Sequence, residues 1–141
     1  MKILLPIDGS KSSLNAVKYV AKLAKNSRSP VNVTLVSVHD DIGLGHVKQF
    51  VAKSVIDDYL REISEKELKP AQKLLDTAGV KHSMAIRRGA ISQEIIALAN
   101  KDKSDIIVMG VKGRSGLLDV LIGSVAQRVS SSAKQPVLLV K

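Results

Sequence analysis

Cysteine and tryptophan are absent from these 141 residues, and the aromatic side chains amount to two tyrosines and one phenylalanine. Without cysteine there is no disulfide, thiolate zinc site, iron–sulfur cluster or cysteine nucleophile. With only Tyr19, Phe50 and Tyr59, there is no platform on which unpaired bases could stack. Long apolar runs are also missing. The stretch Lys2–Ile7 is too short for a membrane span or a signal peptide, and Asp8 and a turn follow at once. The expectation is a cytoplasmic domain of ordinary size, with 45% hydrophobic residues to build one packed core.

What the chain has in excess is positive charge, with 22 Lys+Arg against 13 Asp+Glu and a net +9. The excess is uneven. Residues 1–35 carry six basic and one acidic residue, 36–80 carry six and eight, and 81–141 carry ten and four. No basic run reaches five residues and no zinc-finger spacing is possible, which argues against a nucleic-acid partner. A solvated basic surface or a small anionic ligand fits better.

Short apolar runs alternate with longer helical periods. Lys2–Ile7, Val31–Val38, Asp105–Met109 and Pro136–Val140 read as strands, and Val80 to Arg87 as a further strand with strict alternation, suited to an edge. Between them, Leu14, Val17, Ala21 and Ala24 with Val20 mark one helical face behind a Ser10 N-cap. Val51, Val55, Tyr59, Ile63 and Leu68 mark a second helix, with Pro70 expected to break or restart it and Gly79 to end it. Helices over Ile91–Asn100 and Gly123–Ala133 complete the pattern. Five strands separated by four helical segments predict an α/β fold, an open parallel five-stranded sheet covered on both faces in Rossmann-like fashion. Ligands of such sheets sit beyond the carboxyl ends of the strands, at the switch point. If the first and fourth strands are neighbours, Asp8–Ser10 faces Gly110–Gly113 there.

Gly110-Val111-Lys112-Gly113 is followed, after nine residues, by Gly123-Ser124. Glycines let backbone N–H groups close on an anion, and a helix beginning at Ser124 presents unpaired N–H groups and a favourable dipole. Lys112 and Arg114 add charge. The plainer reading is a surface loop that merely turns the chain.

Pro6-Ile7-Asp8, the glycine spacing, Asp105 to Gly110, Gly123-Ser124-Val125-Ala126 and the ending Gln135 to Val140 together resemble the universal stress protein superfamily across the whole chain. The glycine spacing is similar to that of its ATP-binding branch. The resemblance implies a single domain over residues 1–141 with sheet order 3-2-1-4-5, and a regulatory, stress-response module that binds ATP with Mg2+. It implies that Pro6 and Ile7 line the base pocket, that Asp8 serves the ribose end and the metal and water network, and that the Val38 backbone reads the adenine edge. Met109 and Gly110 would border the ribose and triphosphate, Gly113 and Gly123 would close on phosphate, and Ser124 and Val125 would contribute at the helix start. Many relatives carry His where this chain has Lys112, so a His-specific role has no carrier here. The family commonly dimerises through its last strand, so Val137, Leu138, Leu139 and Val140 would form a homodimer edge.

Other readings of the same residues are narrower. Asp8 in Asp-Gly-Ser is also ordinary turn chemistry. His39, Asp40, Asp41 and His46 could be drawn as metal ligands, but their loop spacing is weak. Leu117, Leu118, Leu121 and Ile122 could pack under a ligand or a partner. No general base or fixed arginine finger is evident, so slow ATP hydrolysis is the most these residues support. A phosphotransfer receiver fails, because Arg87-Arg88-Gly89 follows the third strand where an acceptor Asp is needed. A nucleotide-free interaction protein of the same fold is the alternative.

Overall fold

The strand Lys2–Pro6 (β1) is apolar on both sides of its alternation, so it is stable only between two covering layers. In the computed structural model, which describes residues 1–40, 44–113 and 121–141, it is the middle strand of a five-stranded sheet. Asn32–His39 (β2) and Ile106–Gly110 (β4) flank it, and Lys81–Arg88 (β3) and Val137–Val140 (β5) form the edges. The order is β3-β2-β1-β4-β5, and every pairing is parallel. This is the α/β architecture expected from the alternating pattern.

Helices Lys11–Asn26 (α1), Lys53–Thr77 (α2), Ile91–Lys101 (α3) and Ser124–Ser132 (α4) cover the two faces. Strand alternation divides the core accordingly. Ile3, Leu5, Val33, Leu35 and Val108 pack with Val17, Val20, Leu68 and Leu75 from α1 and α2. Leu4, Val36, Val38, Ile107 and Met109 pack with Ile95, Leu98 and Val129 from α3 and α4. Leu4 and Leu5, adjacent in the chain, are both 0% exposed yet belong to opposite layers. Each such burial contributes roughly 1.5–3 kcal/mol.

Ser10 caps α1 as expected, its Oγ accepting from the Ser13 N–H at 3.1 Å. The buried face is Ser13, Ala16, Val17 and Val20, whereas Leu14, Ala21 and Ala24 are only partly buried. The α2 stripe is displaced further. Ile56, Leu60, Ser64, Leu68, Ala71 and Leu75 face inward, and Val55 and Tyr59 are more than half exposed. Pro70 does not break the helix, contrary to expectation, since α2 runs through it. Pro70 is itself exposed, so the Lys66 carbonyl it leaves unbonded can face water. Leu68, Ala71 and Leu75, at 2%, 0% and 0% exposure, offset the cost from the other side. The helix then ends on Gly79 at φ 67°, where the Gly79 and Val80 N–H groups return to the Asp76 and Leu75 carbonyls. That is a Schellman closure, which a glycine accommodates without strain.

β3 is an edge strand with exposed residues on both sides of its alternation, Lys81 and Ser83 on one and Met84 and Ile86, 50% and 42% exposed, on the other. The alternation therefore marks the edge without marking which side faces solvent. Among the described residues, no helix is long and apolar enough to cross a membrane.

Candidate functional site

β1 is flanked by β2 on one side and β4 on the other, so the chain leaves its carboxyl end at the point where strand order reverses. Here the turn Asp8–Ser10 meets the segment that follows β4. The Asp8 Oδ1 accepts from the Ser10 N–H at 3.0 Å, an Asx turn that holds the carboxylate in place. Its other oxygen lies 3.0 Å from where a Cβ on Gly113 would stand. Gly9, at φ 79°, lets the chain swing from the sheet into α1.

The first turn of α1 lies directly against β4. A Cβ on Gly110 would fall 2.6 Å from the Ser12 carbonyl carbon and 2.7 Å from the Ser13 nitrogen. Ser12 ties this region together, its Oγ accepting from the Lys112 N–H at 3.3 Å and donating to the Val140 carbonyl at 3.1 Å. The Val111 N–H donates to the same Val140 carbonyl at 2.8 Å. The Gly123 N–H then returns to the Val111 carbonyl at 2.8 Å, so both ends of the glycine segment meet.

Between these elements lies a cavity of about 240 Å³. Its walls include Pro6, Ile7, Asp8, Val38, Met109, Gly110, Lys112, Gly113, Gly123, Ser124 and Val125, all singled out from the sequence. Arg114 lies outside the described residues, as do Asp41, Leu117 and Leu118. Ser13, Val36, Ile91, Ile95 and Ala126 also line the cavity and were not anticipated. Val36 shares the strand parity of Val38, and Ile91 and Ile95 are spaced by one helical turn, so periodicity carried that information.

The cavity has two chemically distinct sides. Val36, Val38, Ile91, Ile95 and Met109 form an apolar slot between β2, β4 and α3. Opposite it are Asp8, Lys112, the glycine backbone and the start of α4. The N-cap of α4 is Gly123, which has no side chain to satisfy the first turn. The opening N–H groups of that helix, at Ser124, Val125 and Ala126, lack intrahelical acceptors and lie in the cavity wall. An apolar slot ending in backbone donors, the Lys112 cation and the Asp8 carboxylate suits a flat apolar group bearing an anionic tail.

The histidines lie elsewhere. His39 ends β2 as part of the strand rather than a loop, and its Nε2 is 3.1 Å from the Glu67 Oε2 of α2. His82 is half-buried in β3, its Nδ1–H donating to the Val80 carbonyl at 2.8 Å. Asp40 and His46 stand outside the strands and helices beyond β2.

The model of the universal stress protein family matches residues 1–141, the whole chain. Universal stress protein MJ0531 of Methanocaldococcus jannaschii is 38% identical over 141 residues, covering 99% of this chain and 81% of its own. The solved structure of MJ0577, a universal stress protein from the same organism, is 31% identical with a TM-score of 0.87, covering 99% of this chain and 94% of that one. A universal stress protein solved in complex with cAMP is 26% identical with a TM-score of 0.65, covering 99% and 95%. With a family model matched along its full length and a relative 38% identical over 99% of it, the chain belongs to the universal stress protein family.

Proposed function

We propose that this chain is an adenine-nucleotide-binding regulatory module that takes ATP with Mg2+ in the cavity at the ends of β1 and β4. The observation that carries the reading is the joining, in one cavity, of an apolar slot to the uncapped start of α4 and the glycine segment. The slot suits a purine, whose binding is mostly apolar contact with a few edge hydrogen bonds. The donor side suits phosphate, because the Gly113 and Gly123 backbones allow close approach and Lys112 adds charge. The family relative solved with cAMP supports an adenine nucleotide as the class of ligand.

The residues also fit a magnesium ion. Mg2+ in nucleotide sites is held by one or two carboxylates together with phosphate oxygens and water. Asp8 is the carboxylate in the cavity wall, and a bound Mg2+ would neutralise phosphate charge. The Gly113 backbone beside that carboxylate would hold the tail next to the ion. We assign the module to the cytoplasm and to a homodimer joined along β5. Its output would come from the bound state rather than from turnover.

Calorimetric titration with ATP and ADP, with and without Mg2+, tests this. The parent should bind in the micromolar to low millimolar range. Gly113→Val should abolish binding, since the new side chain displaces the Asp8 carboxylate and blocks the backbone. Ser124→Ala should weaken it about 3–10-fold, the loss of one hydrogen bond to a charged group. Absence of binding by the parent at millimolar ATP would leave the nucleotide-free interaction protein as the reading. Unchanged binding by both variants would move the site elsewhere.

A further inference from the structure

The cavity lies on the α3/α4 face of the sheet, but a second polar group stands behind it on the α1/α2 face. Along β2, Val36 and Val38 point into the cavity layer, and Ser37 and His39 therefore point the other way. Ser37 is 0% exposed and His39 8%. Both meet the carboxylate of Glu67, which reaches in from α2. The Ser37 Oγ donates to Glu67 Oε2 at 3.1 Å, and the His39 Nε2 is 3.1 Å from the same oxygen. The Glu67 side chain is 13% exposed. A carboxylate placed there has to be fixed by its donors, because its desolvation is otherwise uncompensated.

The other end of the Glu67 side chain touches the site turn. A Cβ on Gly9 would lie 3.1 Å from Glu67 Cγ, and Gly9 has the positive φ of 79° that sets the direction of the turn. Gly9 sits between Asp8, whose carboxylate is in the cavity wall, and Ser10, whose N–H holds that carboxylate. Glu67 is therefore clamped to β2 by its oxygen and supports the Asp8–Ser10 turn by its methylene groups.

We infer that Glu67 is a positioning residue for the nucleotide site, fixing Asp8 through Gly9 from the far face of the sheet. The inference rests on the nucleotide reading given above. It connects α2, which contributes nothing to the cavity wall, to the ligand. Shape and an acceptor oxygen are what the role requires, so glutamine serves where alanine does not.

The test is a double-mutant cycle on ATP binding by the full chain, with the urea midpoint of each variant measured beside it. Glu67→Ala should weaken ATP binding about tenfold, within the range of coupling for residues in contact. Glu67→Gln should recover most of that loss. In an Asp8→Ala background, Glu67→Ala should change binding less than about twofold, because the residue it acts through is already gone. Parent-like binding by Glu67→Ala overturns the inference, as does an equal loss in Glu67→Gln, or an undiminished effect in the Asp8→Ala background. The amide resonances of Gly9 and Ser10 in the nucleotide-free protein supply a second measurement. They should move in Glu67→Ala and stay near the parent positions in Glu67→Gln. Should the parent bind no nucleotide, the functional reading falls, and unmoved Gly9 and Ser10 resonances in Glu67→Ala separately refute Glu67 as the support of the turn.

Discussion

Gly110 has no room for a side chain, and two of the three nearest atoms in the way are backbone. A Cβ would stand 2.6–2.7 Å from atoms of Ser12 and Ser13, which are locked by the α1 cap. Gly110→Ala must therefore push α1 away from β4, costing about 2–4 kcal/mol, in the upper range for overpacking. Gly123 differs, because its nearest neighbours would be 3.4 Å away, an ordinary contact. Gly123→Ala should cost under about 1 kcal/mol, within the range of a small surface change. Urea unfolding of the two variants measures the contrast, and equal midpoints would contradict it. Both glycines stand out in the sequence for the same reason, their spacing. Spacing does not reveal that one is required by packing and the other tolerates a methyl group.

Among the elements, α2 departs furthest from what its sequence suggested. A proline in a helix interior costs about 3 kcal/mol relative to alanine, because it removes an N–H and crowds the preceding turn. The helix continues because Leu68, Ala71 and Leu75 stay in register on the buried side. Pro70→Ala should then restore the bond to the Lys66 carbonyl. The gain should be about 1–2 kcal/mol, reduced by the greater freedom of the unfolded chain. Thermal unfolding should show a higher midpoint, and a lower one would mean that the proline ring itself is needed at this position. The misplaced stripe has a similar cause. Val55 and Tyr59 stand one position before Ile56 and Leu60, which with Leu68 and Leu75 form the face in contact; that face also includes Ser64 and Ala71, small residues that let the helix approach the sheet. Where two adjacent positions are both apolar, periodicity alone does not decide which of them faces inward. The strands were more legible, since β-branched runs bounded by Pro, Gly and Asp have few other readings. The cavity residues around β4 and the start of α4 were legible through their glycines, whereas Pro6 and Ile7 were legible only through the family resemblance. Glu67 was not, because nothing in the local sequence links a helix carboxylate to a glycine 58 positions earlier.

At the scale of the whole molecule, the two sheet edges are unlike. β3 is eight residues long and carries Lys81, Arg87 and Arg88, a charged edge of the kind that resists pairing. β5 is four residues long and wholly apolar, Val137-Leu138-Leu139-Val140, and each of the four is half-buried in the single chain. The proposed homodimer pairs β5 with its twofold copy, which satisfies the outer backbone groups of both strands. Sedimentation velocity at micromolar concentration should give twice the 15.1 kDa chain mass. A species of single-chain mass would remove the dimer and leave the cavity untouched. The net charge of +9 also takes a more specific meaning. Only Lys112 among the described basic residues lies in the cavity wall, so most of the excess is surface charge, and its effect on ligand binding should be long-range and sensitive to salt.

Of the five strands β1 is made first, and its two neighbours are made at very different times. β2 follows within about thirty residues, but β4, paired to it through Ile3↔Ile106 and Leu4↔Ile107, arrives a hundred residues later. Until then the central strand of the finished sheet is an open edge, with Leu4 and Leu5 lacking part of their cover. The cavity opens on that same seam, so it cannot exist before β1 and β4 are paired. A ligand held there stabilises the step that closes the molecule, by about 2.7 kcal/mol at a hundredfold excess over its dissociation constant. In that sense a nucleotide bound as proposed would be a late fastener for the fold as well as a signal.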